Sequence, residues 1–252
     1  MLYLMLPMYN EETAIVRLLE NVKKSLPELK EPLRVVIVDD GSSDNSVKNV
    51  KLFARQNPEL PINVIPHNCN RGLGQAMRTG IYHLAQTVAD ADIVFTMDAD
   101  NTHMPECMPS MKHEIQAGAE IVIASRYCTG GDEVGLRMYR QILSRGASTL
   151  MAAAFRYRGV RDYSCGYRAY SGRLLKAGFA AYGESLIRED GFTCMAELLV
   201  KLYPLAKRAT EVPLVLRYDL KGGASKMRIL RTVWRYLFMI RQAKRDIKAV
   251  MK

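Results

Sequence analysis

Nowhere in these 252 residues is there a run of about 18 uncharged apolar side chains, so the sequence predicts no membrane-crossing helix. The longest candidate, residues 149–155, is far too short. Met1 leads straight into the apolar run 2–6, with no basic stretch and no small-residue cleavage site. No export signal is expected from that, and the cytosol is the expected compartment. Five cysteines, at 69, 107, 128, 165 and 194, stand singly without CxxC and without histidines at zinc-ligand spacing. That excludes a zinc ribbon and points to reduced packing cysteines. The four histidines are isolated, His103 alone lying close to another candidate residue. No internal repeat or low-complexity linker is present. Acidic residues are nearly missing from residue 221 onward, where ten lysines and arginines face only Asp246. That stretch carries nine of the ten net positive charges, so the charge is a local device and not a property of the whole chain.

What the chain does have is a regular alternation. Apolar runs at 2–6, 35–38, 62–65, 93–97 and 121–124 read as strands, each followed by a helical pattern. Asn10 is expected to cap the first helix, whose Ile15, Leu18, Leu19, Val22 and Leu26 fit a period of 3.6 residues. Further helices are expected from about 45, after Gly74 and after Pro105. Short strands alternating with helices imply an α/β fold with a mainly parallel central sheet. The second half is less regular: a mobile loop is expected from Gly130-Gly131 towards Gly135, then helices at 138–155, 192–202 and 227–250.

Two acidic motifs end two of the strands: DDGSSD at 39–44 and DAD at 98–100. In an open α/β sheet, ligands bind outside the carboxyl ends of the strands. Asp98 and Asp100 are two residues apart, so extended geometry would point both side chains the same way. Two such carboxylates suit a hard divalent cation carrying a diphosphate. DDGSSD alone also reads as a helix cap, and NCNRGLGQA at 68–76 as either a phosphate or ribose approach or a tight turn. Arg126 follows a strand and can stabilise an anion. Arg140 and Ser144 share a helix face and can hold one phosphate or simply face solvent. Glu189, Asp190 and Glu197 are the carboxylates that could serve as a general base towards a hydroxyl.

LPMYNEE (6–12), VDDGSSD (38–44), NRGLGQA (70–76), MDAD (97–100), Ser125-Arg126, Arg140 with Ser144, DYSCGYRAY (162–170) and GGASK (222–226) span nearly the whole chain. Together they resemble the inverting family 2 glycosyltransferases, with a Rossmann-like GT-A nucleotide-diphospho-sugar transferase fold. Within that family they resemble the dolichol-phosphate mannose synthase group. The resemblance implies that Pro7, Tyr9, Glu11, Val38 and Asp40 line a nucleoside pocket. Asp98, Ala99 and Asp100 would bind the donor, with Asp98 and Asp100 holding Mg²⁺ or Mn²⁺. Arg126, Arg140 and Ser144 would receive the acceptor phosphate, and Lys226 would clamp the donor. Attack by a polyprenyl-phosphate oxygen would invert the anomeric carbon without a general base, Asp100 positioning metal and donor. Two positions depart from the group: Thr102 stands where a glutamine ligand is usual, and Leu220 where an arginine is usual. They leave the donor open between GDP-mannose and a UDP-hexose.

From Met227, the residues Leu230, Val233, Trp234, Leu237, Ile240 and Ile247 recur at helical spacing, with Arg228, Arg231, Arg235, Arg245 and Lys248 largely between them. This is the pattern of a basic amphipathic helix at an anionic membrane surface. The alternative is a helix packed on the domain with its basic face in solvent. The expected organisation is therefore a catalytic domain over 1–220 and a membrane-surface segment over 221–252. The enzyme would be peripheral at the cytosolic face, with the need for a membrane subunit left open. Apolar residues on a stripe, in place of a series of stacking aromatics, argue against nucleic acid as partner. The competing enzyme reading keeps the donor and uses a soluble hydroxyl acceptor, with Glu189 or Asp190 as base.

Overall fold

In the computed structural model, nine strands and eight α-helices are described over residues 1–136, 138–220 and 229–252, with side chains from 234 onward in the last stretch. The expected apolar runs form β1 (Leu2–Met8), β2 (Leu33–Asp39), β3 (Ile62–Pro66), β4 (Ile93–Thr96) and β5 (Ile121–Ser125). Helices α1 (Ile15–Leu29), α2 (Ser46–Gln56), α3 (Leu73–Thr87) and α4 (Met108–Gln116) connect them. Ile15, Leu18, Leu19 and Val22 of α1 are buried, so the 3.6 period does describe its core face. Asn10 does not cap α1. It sits in the left-handed region at φ 51°, and its side chain accepts from the Ser43 N–H at 2.9 Å.

The second half contains elements with weaker sequence signals: β7 (Arg168–Ser171), α6 (Gly172–Tyr182), β8 (Ala209–Pro213) and β9 (Val215–Arg217). The expected loop after Gly130-Gly131 is instead β6 (Asp132–Val134), paired in parallel with β9. The expected helices appear as α5 (Met138–Phe155), α7 (Cys194–Leu202) and α8 (Ile229–Val250).

The main sheet runs β3-β2-β1-β4-β7-β5-β8. All its pairings are parallel except those of β7, which runs antiparallel between β4 and β5. β1, β2, β4 and β5 are almost wholly buried apolar strands, as expected for a sheet covered by helices on both faces. The chain winds outward from β1 to β2 and β3, then returns to place β4 on the other side of β1. This reversal opens a crevice at the carboxyl ends of β1, β2 and β4, where such sheets bind ligands.

Among the described residues, α8 packs on the chain before residue 221. Tyr236, Met239 and Ala243 of α8 are buried in the common core. Asp246 of α8 forms ion pairs with the buried Lys201 ammonium at 2.8 Å and with Arg188 at 3.3 Å, and Arg235 reaches Glu189 at 2.8 Å. Lys201 itself is fully buried and also donates to Glu197 and to the Ser185 carbonyl, each at 2.6 Å. A buried ammonium held by three acceptors is tolerated because its charge is matched on the spot.

Candidate active site at the strand ends

The loop after β1 and the loop after β2 are laced together. The Asn10 and Glu11 amides donate to the hydroxyls of Ser42 and Ser46 at 2.9 and 2.8 Å, and the Asn45 amide donates to Glu12 at 2.9 Å. Ser42 of DDGSSD and Ser46 just beyond the motif therefore tie one crevice wall to the other. Gly41 is required there: at φ +73° a Cβ would lie 2.4 Å from the Cys69 backbone. Pro7 and Val38 face each other in register on β1 and β2, both in the buried sheet, while Tyr9 and Glu11 are half-buried on the loop beyond.

Asp40 is committed within the protein. Its carboxylate accepts from the Arg71 and Gly72 amides at 3.0 and 2.8 Å, and His67 Nδ1 lies 2.7 Å away. His67 Nε2 lies 2.9 Å from the Thr79 hydroxyl, fixing the imidazole on α3. The NRGLG loop is thus organised around a carboxylate, so those two amides are not a phosphate cradle. On its other side the loop abuts the segment before α7: the Gly74 amide donates to the Asp190 carbonyl, and a Cβ at 74 would lie 1.8 Å from the Glu189 carbonyl oxygen. His67 and Thr79 were not singled out from sequence, having no motif of their own.

Asp98 follows β4 outside the strand and Asp100 lies in the turn just beyond it, with Asn101 at φ 60°. The parity argument for their orientation therefore does not apply, and the two differ in burial. Asp98 presents a carboxylate 35% exposed, whereas Asp100 is buried with its Oδ1 accepting from both the amide and the hydroxyl of Thr102 at 3.1 and 2.7 Å. Thr102, in the place of a glutamine, fixes the second aspartate. His103 is buried beside them; its Nδ1 accepts from the Asp98 amide at 3.3 Å, and its Nε2 lies 3.9 Å from Cys165 Sγ. A half-buried and a buried carboxylate two residues apart, the second held by a hydroxyl, offer oxygen donors of the kind that Mg²⁺ or Mn²⁺ takes.

Arg126 departs most from expectation. Its guanidinium donates to both oxygens of Asp162 at 2.7 and 2.8 Å, to Glu133 at 3.1 Å and to the Ser164 hydroxyl at 2.7 Å. Both carboxylates are buried with it. Burial works against the charge on Arg126, but Asp162 outweighs it and keeps the guanidinium firmly protonated. Burial likewise opposes ionisation of Asp162, yet Arg126 and the amides of Cys165 and Arg126 hold its carboxyl below the ordinary value. Arg126 is a structural hub with most of its donors spent, not an open anion receptor. Sequence reasoning missed Asp162, Glu133 and Ser164 as its partners; DYSCGYRAY flagged two of them only as motif members.

Ser144 joins this hub. Its hydroxyl lies 3.3 Å from Ser164 Oγ and accepts from the Tyr127 hydroxyl at 2.9 Å. Arg140, one turn earlier on α5, instead points its guanidinium at Tyr218 and Tyr139, donating to their hydroxyls at 2.9 and 3.2 Å. The structure therefore connects Arg126 to Ser144 through Ser164, and holds Arg140 apart on tyrosines. Of the carboxylates proposed as bases, Glu197 is buried and engaged by Lys201 and by the Arg188 and Glu189 amides. Glu189 is held by Arg235 and the Thr193 hydroxyl, whereas Asp190 keeps a side chain 55% exposed. Lys226 and the rest of GGASK lie outside the described residues.

A model of the family described as Glycosyl transferase family 2 matches residues 3–179. The chain is 28% identical over 233 residues to a dolichol-phosphate mannosyltransferase of Pyrococcus furiosus, covering 92% of this chain and 60% of that one. It is 32% identical over 172 residues to an undecaprenyl-phosphate 4-deoxy-4-formamido-L-arabinose transferase of Proteus mirabilis, covering 68% and 49%. It is 27% identical over 223 residues to a polyprenol monophosphomannose synthase of Mycolicibacterium smegmatis, covering 88% and 79%. The chain thus spans about half to three fifths of the first two relatives' length. Among solved structures, glucosyl-3-phosphoglycerate synthase of Mycobacterium tuberculosis, crystallised with Mn²⁺, uridine diphosphate and phosphoglyceric acid, superposes with a TM-score of 0.65 at 19% identity, covering 99% of this chain and 78% of that one. TarS of S. aureus with UDP gives 0.62 at 17% identity, covering 96% and 64%.

Proposed function

The chain belongs to glycosyl transferase family 2 and has its GT-A fold, and from that premise we propose that it moves a sugar from a nucleotide-diphosphate donor to the phosphate of a polyprenyl lipid at a membrane surface. The observation that carries this reading is the Asp98–Asp100 turn at the crevice where β1, β2 and β4 meet. Asp98 and Asp100 would hold Mg²⁺ or Mn²⁺, with the donor diphosphate and water completing the coordination. Bound there, the ion would neutralise the charge that develops on the departing nucleoside diphosphate. The relatives named for lipid-phosphate acceptors support the acceptor class.

A phosphate acceptor is already ionised near neutral pH, its second pKa being about 6. Its oxygen can attack the anomeric carbon directly, with inversion, once it is aligned. Arg140 and Ser144 would receive that phosphate, and Arg126 would act as a positioning residue that fixes Ser144 through Ser164. Pro7, Tyr9, Glu11 and Val38 would form the nucleoside wall, with Asp40 shaping the loop beside it. The exposed Asp190 carboxylate favours a second reading, a hydroxyl acceptor with Asp190 as base. Glu189 is the weaker base candidate because Arg235 holds it.

Among the described residues, no helix is long and apolar enough to cross a membrane. Surface attachment is supported by large apolar side chains left in solvent: Trp234, Leu237 and Phe238 on α8, and Met138 and Ile142 on α5. Exposed Arg241, Lys244 and Arg245 share α8 with them. The stripe read from sequence divides in the structure. Trp234 and Leu237 face out, Ile240 and Ile247 pack on the core, and Arg235 is paired with Glu189. Leu230, Val233, Arg228 and Arg231 lie outside the described side chains.

The test is a donor screen in detergent with Mn²⁺ and a short polyprenyl phosphate, comparing GDP-mannose, UDP-glucose and UDP-N-acetylglucosamine. Sugar entering the organic phase from one donor is the expected outcome. Nucleotide release without labelled lipid, abolished by Asp190→Asn, would transfer the assignment to a hydroxyl acceptor. A second expectation concerns attachment. Trp234→Ala with Phe238→Ala should weaken co-sedimentation with phosphatidylglycerol vesicles by about tenfold or more, since each fully buried aromatic side chain is worth about 1.5–3 kcal/mol. Unchanged sedimentation would remove α8 from the membrane contact.

A further inference from the structure

A cavity of about 580 Å³ lies between α5, the chain leaving β5 and the turn ahead of DYSCGYRAY. Arg126, Arg145 and Arg161 line it, and none of its lining residues is a carboxylate. The acids nearby stand behind this wall: Asp162 and Glu133 take the guanidinium of Arg126, and Glu211 accepts from the Arg161 and Asp162 amides at 2.6 and 2.7 Å. Neither Arg145 nor Arg161 forms an ion pair among the described residues, so both keep their charge for the cavity. Arg145 is braced over the Tyr127 ring at 5.9 Å.

Ser148 supplies an independent observation. It is only 4% exposed and lines the same cavity, yet its hydroxyl has no hydrogen-bond partner. Buried hydroxyls are almost always paired, so an unpaired one in a cavity wall is a group in want of a ligand. Two unpaired guanidinium groups and an unpaired hydroxyl match the several acceptor oxygens of a phosphate group.

We propose that this cavity binds a phosphate-bearing anion, at a site distinct from the sugar-transfer centre, with Arg145 and Arg161 supplying charge and Ser148 a hydrogen bond. The cavity exceeds a bare phosphate, and Ala152 and Val160 in its wall leave room for an apolar extension. The ligand is therefore either free phosphate or the headgroup of an anionic lipid, which share the recognised chemistry. Occupancy would be felt at the transfer centre, because Tyr127 forms part of the wall while its hydroxyl donates to Ser144. The site does not depend on the identity of the donor or acceptor.

Calorimetric titration of the full chain with sodium phosphate, dihexanoyl phosphatidylglycerol and dihexanoyl phosphatidylcholine tests it, with Arg145→Gln/Arg161→Gln, Ser148→Ala and Arg140→Gln beside the wild type. The double variant should lose the cavity's affinity by about tenfold or more and Ser148→Ala by a few fold, while Arg140→Gln, altered only at the proposed acceptor site, keeps the binding that the double variant loses. Phosphatidylglycerol binding well above phosphate and phosphatidylcholine identifies a lipid headgroup; equal binding of phosphate and phosphatidylglycerol identifies free phosphate. Arg145 and Arg161 are exposed, and matching thermal melts would verify that the variants fold. Binding unchanged in the double variant, no binding by the wild type, or loss confined to Arg140→Gln would each overturn the proposal.

Discussion

Asp100→Ala should lower sugar transfer by about a thousandfold or more, with the fold intact. The Asp100 carboxylate is buried and its Oδ1 is clamped twice by Thr102, so the group has little freedom to relax. A metal that stabilises developing charge is worth several kcal/mol, and each 1.36 kcal/mol is about a factor of ten in rate. Losing one of two protein carboxylates should therefore remove about 4 kcal/mol. Thr102→Val keeps the carboxylate but frees it, and second-shell losses of this kind cost about 10- to 100-fold. Initial rates with the active donor, alongside a Mn²⁺ titration of each variant, read both effects. Transfer by Asp100→Ala within tenfold of wild type would show that the turn after β4 is not the metal site.

Asp162→Ala should strongly destabilise the fold. The carboxylate is fully buried, neutralises Arg126 with two hydrogen bonds and also accepts from the Cys165 amide at 3.0 Å. Removing one partner of a buried pair leaves an uncompensated charge and typically costs about 3–5 kcal/mol. Glu133 remains beside Arg126, which places the expected loss at the lower end. Urea unfolding measures it, and a loss under about 1 kcal/mol would mean that Arg126 escapes to water. The pH dependence follows from the lowered pKa of Asp162. A carboxyl held below its unfolded value of about 3.9 contributes stability above that pH and loses it as pH falls through the folded value. Wild type should therefore lose stability steeply on acidification below about pH 4, and Asp162→Ala should lose less over the same interval.

The sequence made β1 to β5 legible because each is a continuous run of buried apolar residues between helical patterns. β7 escaped notice because Arg168 opens it. A charged residue reads as surface, yet this one is fully buried, donating to the Tyr163 carbonyl at 2.8 Å and to the Met195 carbonyl. β8 carries Thr210 and Glu211, and β6 is three residues behind a glycine pair, too short to show a period. At the site, residue types and strand ends were readable, because the motifs fix where the chain turns. Partnerships were not. Arg126 and Asp162 are 36 positions apart, and nothing local says that one consumes the other. The same holds for Asp40, whose partners come from a loop about thirty residues on. In α8, periodicity marked one stripe, while the fold divides it between interior and solvent.

The two faces of α8 bear on how this protein can be handled. A version trimmed before α8 to improve its behaviour in solution would strip the cover from the seat of Tyr236, Met239 and Ala243. It would also leave the Lys201 ammonium in the interior with one counter-charge fewer. Such a trimmed protein would be sticky and loosely folded, and a loss of lipid binding in it would say nothing about lipids. The proposed attachment face and the packed face occupy opposite sides of one helix, so the two roles can be separated by editing side chains and not by shortening the chain.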